Sequence, residues 1–405
     1  MKVFEGVNTH IKCWCNEPEE GAIKQATNLS ALPFLHKHVA LMPDTHEGYG
    51  MPIGGVIATI GVVIPNAVGV DIGCGMCAVK TSLTEMSQEE IKKIFGGSKE
   101  NKGGIRSCVP VGFSHHSKKQ DENLMPEKPY RNGDNYSLWL KHEGYDIVSE
   151  EYESALKQIG TLGGGNHFIE IQKGDDGHIW IMLHSGSRNL GYKVANHYNK
   201  IAKDLNEKWY SSVPKEHDLA FLPIDSMGGK AYLREMKYCL DFAKANRAAM
   251  MINICDVFNE HYPGIEMDSG IDVHHNYATM EHHFDKNVMI HRKGATSAKT
   301  DQLGIIPGSQ GTASYIVRGK GNRDSFTSCS HGAGRAMGRK QAQRELSVEN
   351  EIKILEDQGI LHSIRTEKDL DEASSAYKNI DIVMEEQNDL VDIVVKLKPL
   401  AVIKG

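Results

Sequence analysis

Histidine recurs in this chain inside short runs of small residues, where an imidazole has little reason to sit unless it does chemistry. Four such runs carry five histidines: Gly163-Gly164-Gly165-Asn166-His167-Phe168, Leu183-His184-Ser185-Gly186-Ser187-Arg188, Val273-His274-His275-Asn276 and Ser330-His331-Gly332-Ala333-Gly334-Arg335. A further segment, Gly69-Val70-Asp71-Ile72-Gly73-Cys74-Gly75, adds a carboxylate and a thiol. Asp71, Cys74, His167, His184 and His275 together offer one O, one S and three N donors. That mixture suits a divalent transition ion better than Mg²⁺ or Ca²⁺. Ligand type alone points first to Zn²⁺. Five ligands exceed what one tetrahedral ion needs, so two ions sharing the thiolate is a reasonable extension. Taken singly, Cys74 reads more simply as a small buried hydrophobe, and any one histidine as a satisfied polar group. The set among glycines is what argues for a site.

His331 differs from the others. Glycine follows it directly, a second glycine stands two residues further on, and Arg335 comes next, where a helix is expected to start. Backbone N–H groups at a helix start bind phosphate, and an arginine can fork onto phosphate oxygens. An imidazole there can be a ligand, a general base or a nucleophile, and residue chemistry does not choose among these. If 166–171 is extended, Asn166, Phe168 and Glu170 share one face and His167 takes the other. Glu170 near a nucleotide base could accept from a guanine amide and amine. Ile306-Pro307-Gly308-Ser309-Gln310-Gly311-Thr312-Ala313-Ser314 is a turn rich in hydroxyls, readable as a pocket wall or as a plain turn. There is no G-x-x-x-x-G-K-[S/T] loop and no complete G-x-G-x-x-G. Any nucleotide site is therefore of a less common kind.

These residues need elements to position them. Val39–Met42 is a short apolar run expected to stop at Pro43-Asp44. Val56–Pro65 and Met76–Thr81 read as strands. Ser87 and Glu90 have capping-box spacing, which predicts a helix to about Phe95. Residues 96–136, polar and rich in Gly and Lys, read as a surface loop or insertion. A helix is expected from about Tyr145 to Ile159. Two strands, His167–Ile171 and Ile179–Leu183, flank the turn 174–177. Residues 190–262 read as helical, with one long pattern from Lys230 to Tyr262. Short strands return over 287–328. Helices are expected over 333–358 and 379–390, and Val391–Ile403 is a β-rich run broken by Pro399. Strands and helices do not alternate in a βαβ rhythm, and the candidate residues span most of the chain. The reading is α+β, with mixed sheets and flanking helices in one intertwined domain over residues 1–405.

The 405 residues are 40% hydrophobic and 24% charged, as in a soluble globular protein. No apolar run approaches a membrane span, and the first residues lack a secretory apolar region. The eight cysteines are scattered, which argues against a disulfide framework and for a reducing, cytoplasmic setting. Cys74-Gly75-Met76-Cys77 has no second pair at zinc-ribbon spacing. The net charge of −7 argues against coating nucleic acid by bulk attraction but leaves room for a local basic groove.

Taken together, the segments resemble the RtcB family, the 3′-phosphate RNA ligases. The resemblance covers almost the whole chain. It runs in order through Met42-Pro43-Asp44-Thr45-His46, GVDIGCGM, GGGNHFIEI, MLHSGSR, HHN, HRKGA, IIPGS, SCSHGAGR, AYKNID and Val402-Ile403-Lys404-Gly405. It implies GTP and Mn²⁺ as cofactors and RNA as partner. The RNA ends would be a 2′,3′-cyclic phosphate or 3′-phosphate and a 5′-hydroxyl. It makes His331 the residue that takes GMP from GTP before GMP passes to the RNA 3′-phosphate. It implies that Cys74 bridges two Mn²⁺ ions, with Asp71, His184 and His275 on one and His167 on the other. Asn166, Phe168, Glu170, Asn276, Ser309, Ser314, Arg335, Tyr377 and Lys404 fall where the family contacts the guanylate. Arg188 and Arg339 would hold RNA phosphates. Some members of the family work with the activator archease. Residues 96–136, including His115-His116, depart from the pattern, and Thr45 stands where valine is often seen. A metal-dependent phosphoesterase acting on RNA ends without joining them is the alternative. A non-catalytic metal-stabilised RNA-binding protein is a third reading, which the net charge disfavours.

Overall fold

β-Rich runs from both ends of the chain separate into two large sheets in the computed structural model, which describes residues 1–97, 103–129 and 135–405. The first sheet contains β1 (Lys2–Phe4), β2 (Ile11–Cys13), β3 (Leu35–His46), β4 (Ile53–Thr59), β11 (Asn276–His283) and β12 (Lys286–Lys293), in the order β1-β2-β3-β4-β12-β11. The second contains β6 (Gly75–Lys80), β7 (Phe168–Gly174), β8 (Ile179–Ser185), β10 (Ile271–His274), β14 (Leu303–Ile306), β15 (Ser314–Gly319) and β17 (Val391–Lys404). Its order is β10-β6-β8-β7-β17-β15-β14, antiparallel throughout. Two short pairs complete the strands: β5 (Val62–Val63) with β9 (Leu222–Pro223), and β13 (Ala295–Ser297) with β16 (Ser328–Ser330). The α+β reading holds.

The helices are α1 (Glu20–Ser30), α2 (Gln88–Phe95), α3 (Ile105–Cys108), α4 (Asn135–His142), α5 (Ile147–Gln158), α6 (Arg188–Lys208), α7 (Met227–His261), α8 (Arg339–Glu345), α9 (Val348–Glu356) and α10 (Ile380–Glu385). α2 begins as its spacing predicts: the Ser87 hydroxyl accepts from the Glu90 N–H, and the Glu90 carboxylate accepts from the Ser87 N–H. α7 is a single helix of 35 residues whose Met250, Ile254 and Phe258 pack on Ile169, Ile181 and Leu183 of the second sheet. The period of two along β7 sorts its side chains. Ile169 and Ile171 face α7, while Phe168 joins a separate cluster with Met182 and Val402.

Three expectations are corrected. β3 does not stop at Pro43-Asp44 but continues to His46. Its pairing with β4 is irregular between Leu41 and His46, which accommodates a residue without an N–H. β17 likewise runs unbroken through Pro399, with a bulge between Pro399 and Ala401. Residues 333–338 are not helical, and α8 begins only at Arg339. Gly334 takes φ +73°, and a side chain there would collide with the Asp44 carbonyl. Within 96–136, the described residues include α3 and bury Ile105, Val109 and Met125. Within that stretch, residues 98–102 and 130–134 lie outside the described residues.

Candidate active site

Sheet register gathers the metal-type ligands. β6 pairs with β8 so that Met76 stands opposite His184, and β10 pairs with β6 so that His274 stands opposite Gly75. Cys74, His184 and His275 thus arrive together at adjoining strand ends. His167 enters from the residue before β7, where Phe168 pairs with His184. Cys74 Sγ lies 3.4 Å from His167 Nε2 and 3.2 Å from His184 Nε2. His184 Nε2 is 3.4 Å from His275 Nε2, and Asp71 Oδ2 is 3.4 Å from His167 Nε2. The five residues therefore meet at one place. The thiol and the imidazoles of His167 and His184 form a buried group whose ligand atoms lie within 4.8 Å of one another.

Hydrogen bonds on the far side of each ring set its direction. His167 Nδ1 donates to the Leu162 carbonyl at 2.9 Å, and His184 Nδ1 donates to the Asn166 carbonyl at 3.1 Å. Each leaves an Nε2 lone pair aimed at the thiol, the arrangement of a metal-ligating histidine. Burial, reinforced by the neighbouring imidazoles, holds His184 and His275 well below the ordinary histidine value, so both rings are neutral. Burial pushes the Cys74 thiol well up, and Asp71 adds to this. Burial opposes ionisation of Asp71 as well, but hydrogen bonding and charge from His167 win and bring it to about 2. One carboxylate and three imidazoles around a thiol fit a divalent transition ion, whose binding would displace the thiol proton.

His331 stands beside this group, with its ring centroid 4.8 Å from that of His275. Its Nδ1 is 2.6 Å from Asp44 Oδ2, and its backbone N–H donates to the same oxygen at 3.1 Å. Asp44 is fully buried. Burial raises its pKa, but the charge and hydrogen bond of His331 outweigh that and hold it below the usual carboxylate range. His331 therefore has one nitrogen fixed by a carboxylate and, among the described residues, no hydrogen bond to the other. It sits in a non-helical loop, so the expected helix start does not contribute a phosphate cradle there.

A cavity of about 580 Å³ opens from His331 and His184. Asn166, Phe168, Glu170, Ser309, Arg335, Arg339, Tyr377 and Lys404 line it. Burial lifts Glu170 to about 8, against the pull of Gln172, whose amide donates to it at 2.6 Å, and of Lys404. Burial lowers Lys404, against the upward pull of Glu372, Glu170 and Asp371. Its ammonium lies 5.7 Å from the Phe168 ring centroid. Three predicted residues stand outside the cavity wall. The Asn276 amide donates to the Asp71 carbonyl at 3.0 Å and accepts from the Gly294 N–H at 2.8 Å. Ser314 accepts from the Gly308 N–H and from Gln172. Arg188 lies against Thr161 and His167.

Four residues were missed by reading the sequence for chemistry. Asp44 had one available signal, a carboxylate inside an apolar run. His46, whose Nδ1 donates to the Asp44 carbonyl at 2.9 Å, lines the cavity from the same strand. Glu372 is buried and accepts from Arg335 Nη1 at 3.2 Å, Arg339 Nε at 2.9 Å and the Tyr377 hydroxyl. Arg247 of α7 is fully buried behind the ligands. It pairs with Asp272 through two bonds of 2.8 and 2.7 Å and donates to the Gly73 and Ser185 carbonyls at 3.1 and 3.0 Å. Those contacts join the three segments that carry Cys74, His184 and His275.

Residues 25–405 match the family described as tRNA-splicing ligase RtcB. The chain is 39% identical to the RNA-splicing ligase RtcB of Escherichia coli K12, covering 98% of each chain. It is 32% identical to the tRNA-splicing ligase RtcB of Thermococcus kodakarensis, over 96% of this chain and 92% of that one. It is 34% identical to the tRNA-splicing ligase RtcB of Nanoarchaeum equitans, with the same coverage. The chain belongs to the RtcB family. No helix among the described residues is long and apolar enough to cross a membrane.

Proposed function

We propose that this protein joins RNA ending in a 2′,3′-cyclic phosphate or 3′-phosphate to RNA with a 5′-hydroxyl, using GTP and Mn²⁺, in RNA splicing or repair. One observation carries the reading: His331 has Nδ1 anchored on a buried carboxylate and, among the described residues, no hydrogen bond to Nε2, beside five metal-type ligands and a nucleotide-sized cavity. His331 Nε2 attacks the α-phosphorus of GTP, a P–N bond forms, and the bond to pyrophosphate breaks. The Asp44 carboxylate stabilises the positive charge that develops on the ring. Water opens the cyclic phosphate to a 3′-phosphate. An oxygen of that phosphate displaces His331 from GMP, giving RNA-(3′)pp(5′)G. The 5′-hydroxyl then attacks the RNA phosphorus, GMP leaves, and a 3′,5′ bond forms.

Asp71, Cys74, His167, His184 and His275 would hold the metal, with Cys74 shared if two ions bind. When bound, such ions supply Lewis-acid stabilisation of phosphate oxygens. Glu170, Phe168, Asn166, Ser309, Tyr377 and Lys404 receive the guanylate. Arg335 and Arg339 lie on the phosphate side of the wall. Asn276 and Ser314 support that wall from behind, and Arg188 faces RNA phosphate.

The test is the intact mass of the protein after incubation with Mn²⁺ and GTP. Addition of one GMP to wild type and none to His331→Ala is expected. Phosphate release from a cyclic end without GTP and without a joined product would instead establish a phosphoesterase.

A further inference from the structure

A second cleft lies away from the catalytic cavity, between the last turn of α2, α3, the end of α7 and the segment 361–365. Its volume is about 780 Å³. Lys92, Arg106, His261, His362 and Arg365 line it, together with one carboxylate, Glu89. This is a cationic wall on a chain whose net charge is −7.

Among the described residues, neither Arg106 nor Arg365 forms an ion pair with a carboxylate. Arg106 Nη2 donates to Ser363 Oγ at 2.9 Å, and Arg365 Nη1 donates to its neighbouring Ile364 carbonyl at 2.6 Å. Asp369, four residues on, accepts instead from the backbone N–H groups of Arg365 and Thr366. Burial and the like charge of Arg365 both act against the protonated form of Arg106. Two guanidiniums that line one cleft, neither ion-paired among the described residues, repel, and an anion between them relieves that repulsion through charge-assisted hydrogen bonds.

The cleft is joined to the catalytic cavity by continuous chain. Leu361 bridges Ala401 of β17, and β17 ends at Lys404 in the cavity wall. From Arg365 the chain runs through the short 3₁₀ turn Glu367–Glu372 to Glu372, which grips Arg335 and Arg339. A strand of nucleic acid leaving the catalytic cavity along this edge would meet Arg106 and Arg365 next.

We propose that Arg106 and Arg365 form a second phosphate-binding site, separate from the catalytic cavity, that takes a phosphate group of the substrate RNA backbone or of a free polyphosphate. Naming RNA as a source rests on the ligase reading; capture of phosphate does not.

The test compares full-length wild type with Arg106→Ala/Arg365→Ala. Three probes are used: a labelled RNA of a few nucleotides, a longer labelled RNA, and inorganic tripolyphosphate. Loss of RNA-backbone contacts should weaken the longer RNA about tenfold or more. It should also lower the slope of log affinity against log salt by about 0.7, for one phosphate of a single strand. The short RNA and GMP addition to His331 should be unchanged, which also shows that the variant is folded. An unchanged longer RNA with lost tripolyphosphate binding assigns the site to free polyphosphate. Equal binding of all three probes by variant and wild type overturns the proposal. Absence of GMP addition in wild type, with the binding difference intact, would overturn the ligase reading and leave the phosphate site standing.

Discussion

Two regions of the catalytic cavity treat buried polar groups in opposite ways. Around Cys74, carbonyls anchor the Nδ1 atoms of His167 and His184 from behind, so that their Nε2 atoms converge on the thiol. Around Glu372 the charges satisfy one another, two arginines and a tyrosine closing on one carboxylate. The first region is arranged for something that is not protein. The second is a completed knot that holds a wall in place. In that open region, the metal-type ligand atoms of Cys74, His167 and His184 converge within 4.8 Å of one another, the geometry of a binding centre.

The largest effects should come from the open region. His184→Ala should reduce metal affinity at least a hundredfold, read by metal titration of the purified protein, because it removes the imidazole shared between Cys74 and His275. Asp44→Asn should slow GMP addition by about 10²–10⁴-fold while bound metal is unchanged, since it alters only the partner of His331 Nδ1. A loss of metal in that variant would merge the histidine and metal roles and break the distinction.

The knot should respond in stability instead. Glu372→Ala leaves Arg335 and Arg339 unpaired. Because Arg339 is half exposed, the expected cost is about 1–3 kcal/mol by urea unfolding, with metal binding unchanged.

Glu170 adds a pH test. Its folded pKa of about 8 lies above the ordinary glutamate value. The folded protein therefore holds a proton that the unfolded chain loses near 4.5, and this contribution to stability fades as pH rises from about 4.5 through 8. The wild-type Tm should fall more steeply than that of Glu170→Gln between pH 6 and 8. Equal slopes would show that Glu170 is not the group responsible. The smallest effect is expected for Ser314→Ala, a few-fold weaker GTP binding through loss of the Gly308 contact.

Much of the open region was legible in the sequence because metal ligation demands particular residue types, and Asp71, Cys74, His167, His184 and His275 do meet. The knot was not. Glu372 sits in the acidic run Glu-Lys-Asp-Leu-Asp-Glu, and nothing in that run says which acid turns inward. Arg247 was hidden in an apolar helical pattern, although a fully buried arginine there ties three ligand segments together. Asp44 was misread as the end of a strand because Pro43 precedes it; an irregular ladder let β3 continue. Gly334, at positive φ, turns the chain so that Arg335 stands outside a helix, which the charge pattern could not show.

The placement of β17 also bears on how the chain acquires its shape. β17 lies between β7 and β15 and pairs residue 404 with residue 168. During synthesis, β7 emerges more than two hundred residues before its partner and waits with an unpaired edge. Closure of the second sheet is therefore a late, long-range event, and slow by the ordinary dependence of folding rate on contact separation.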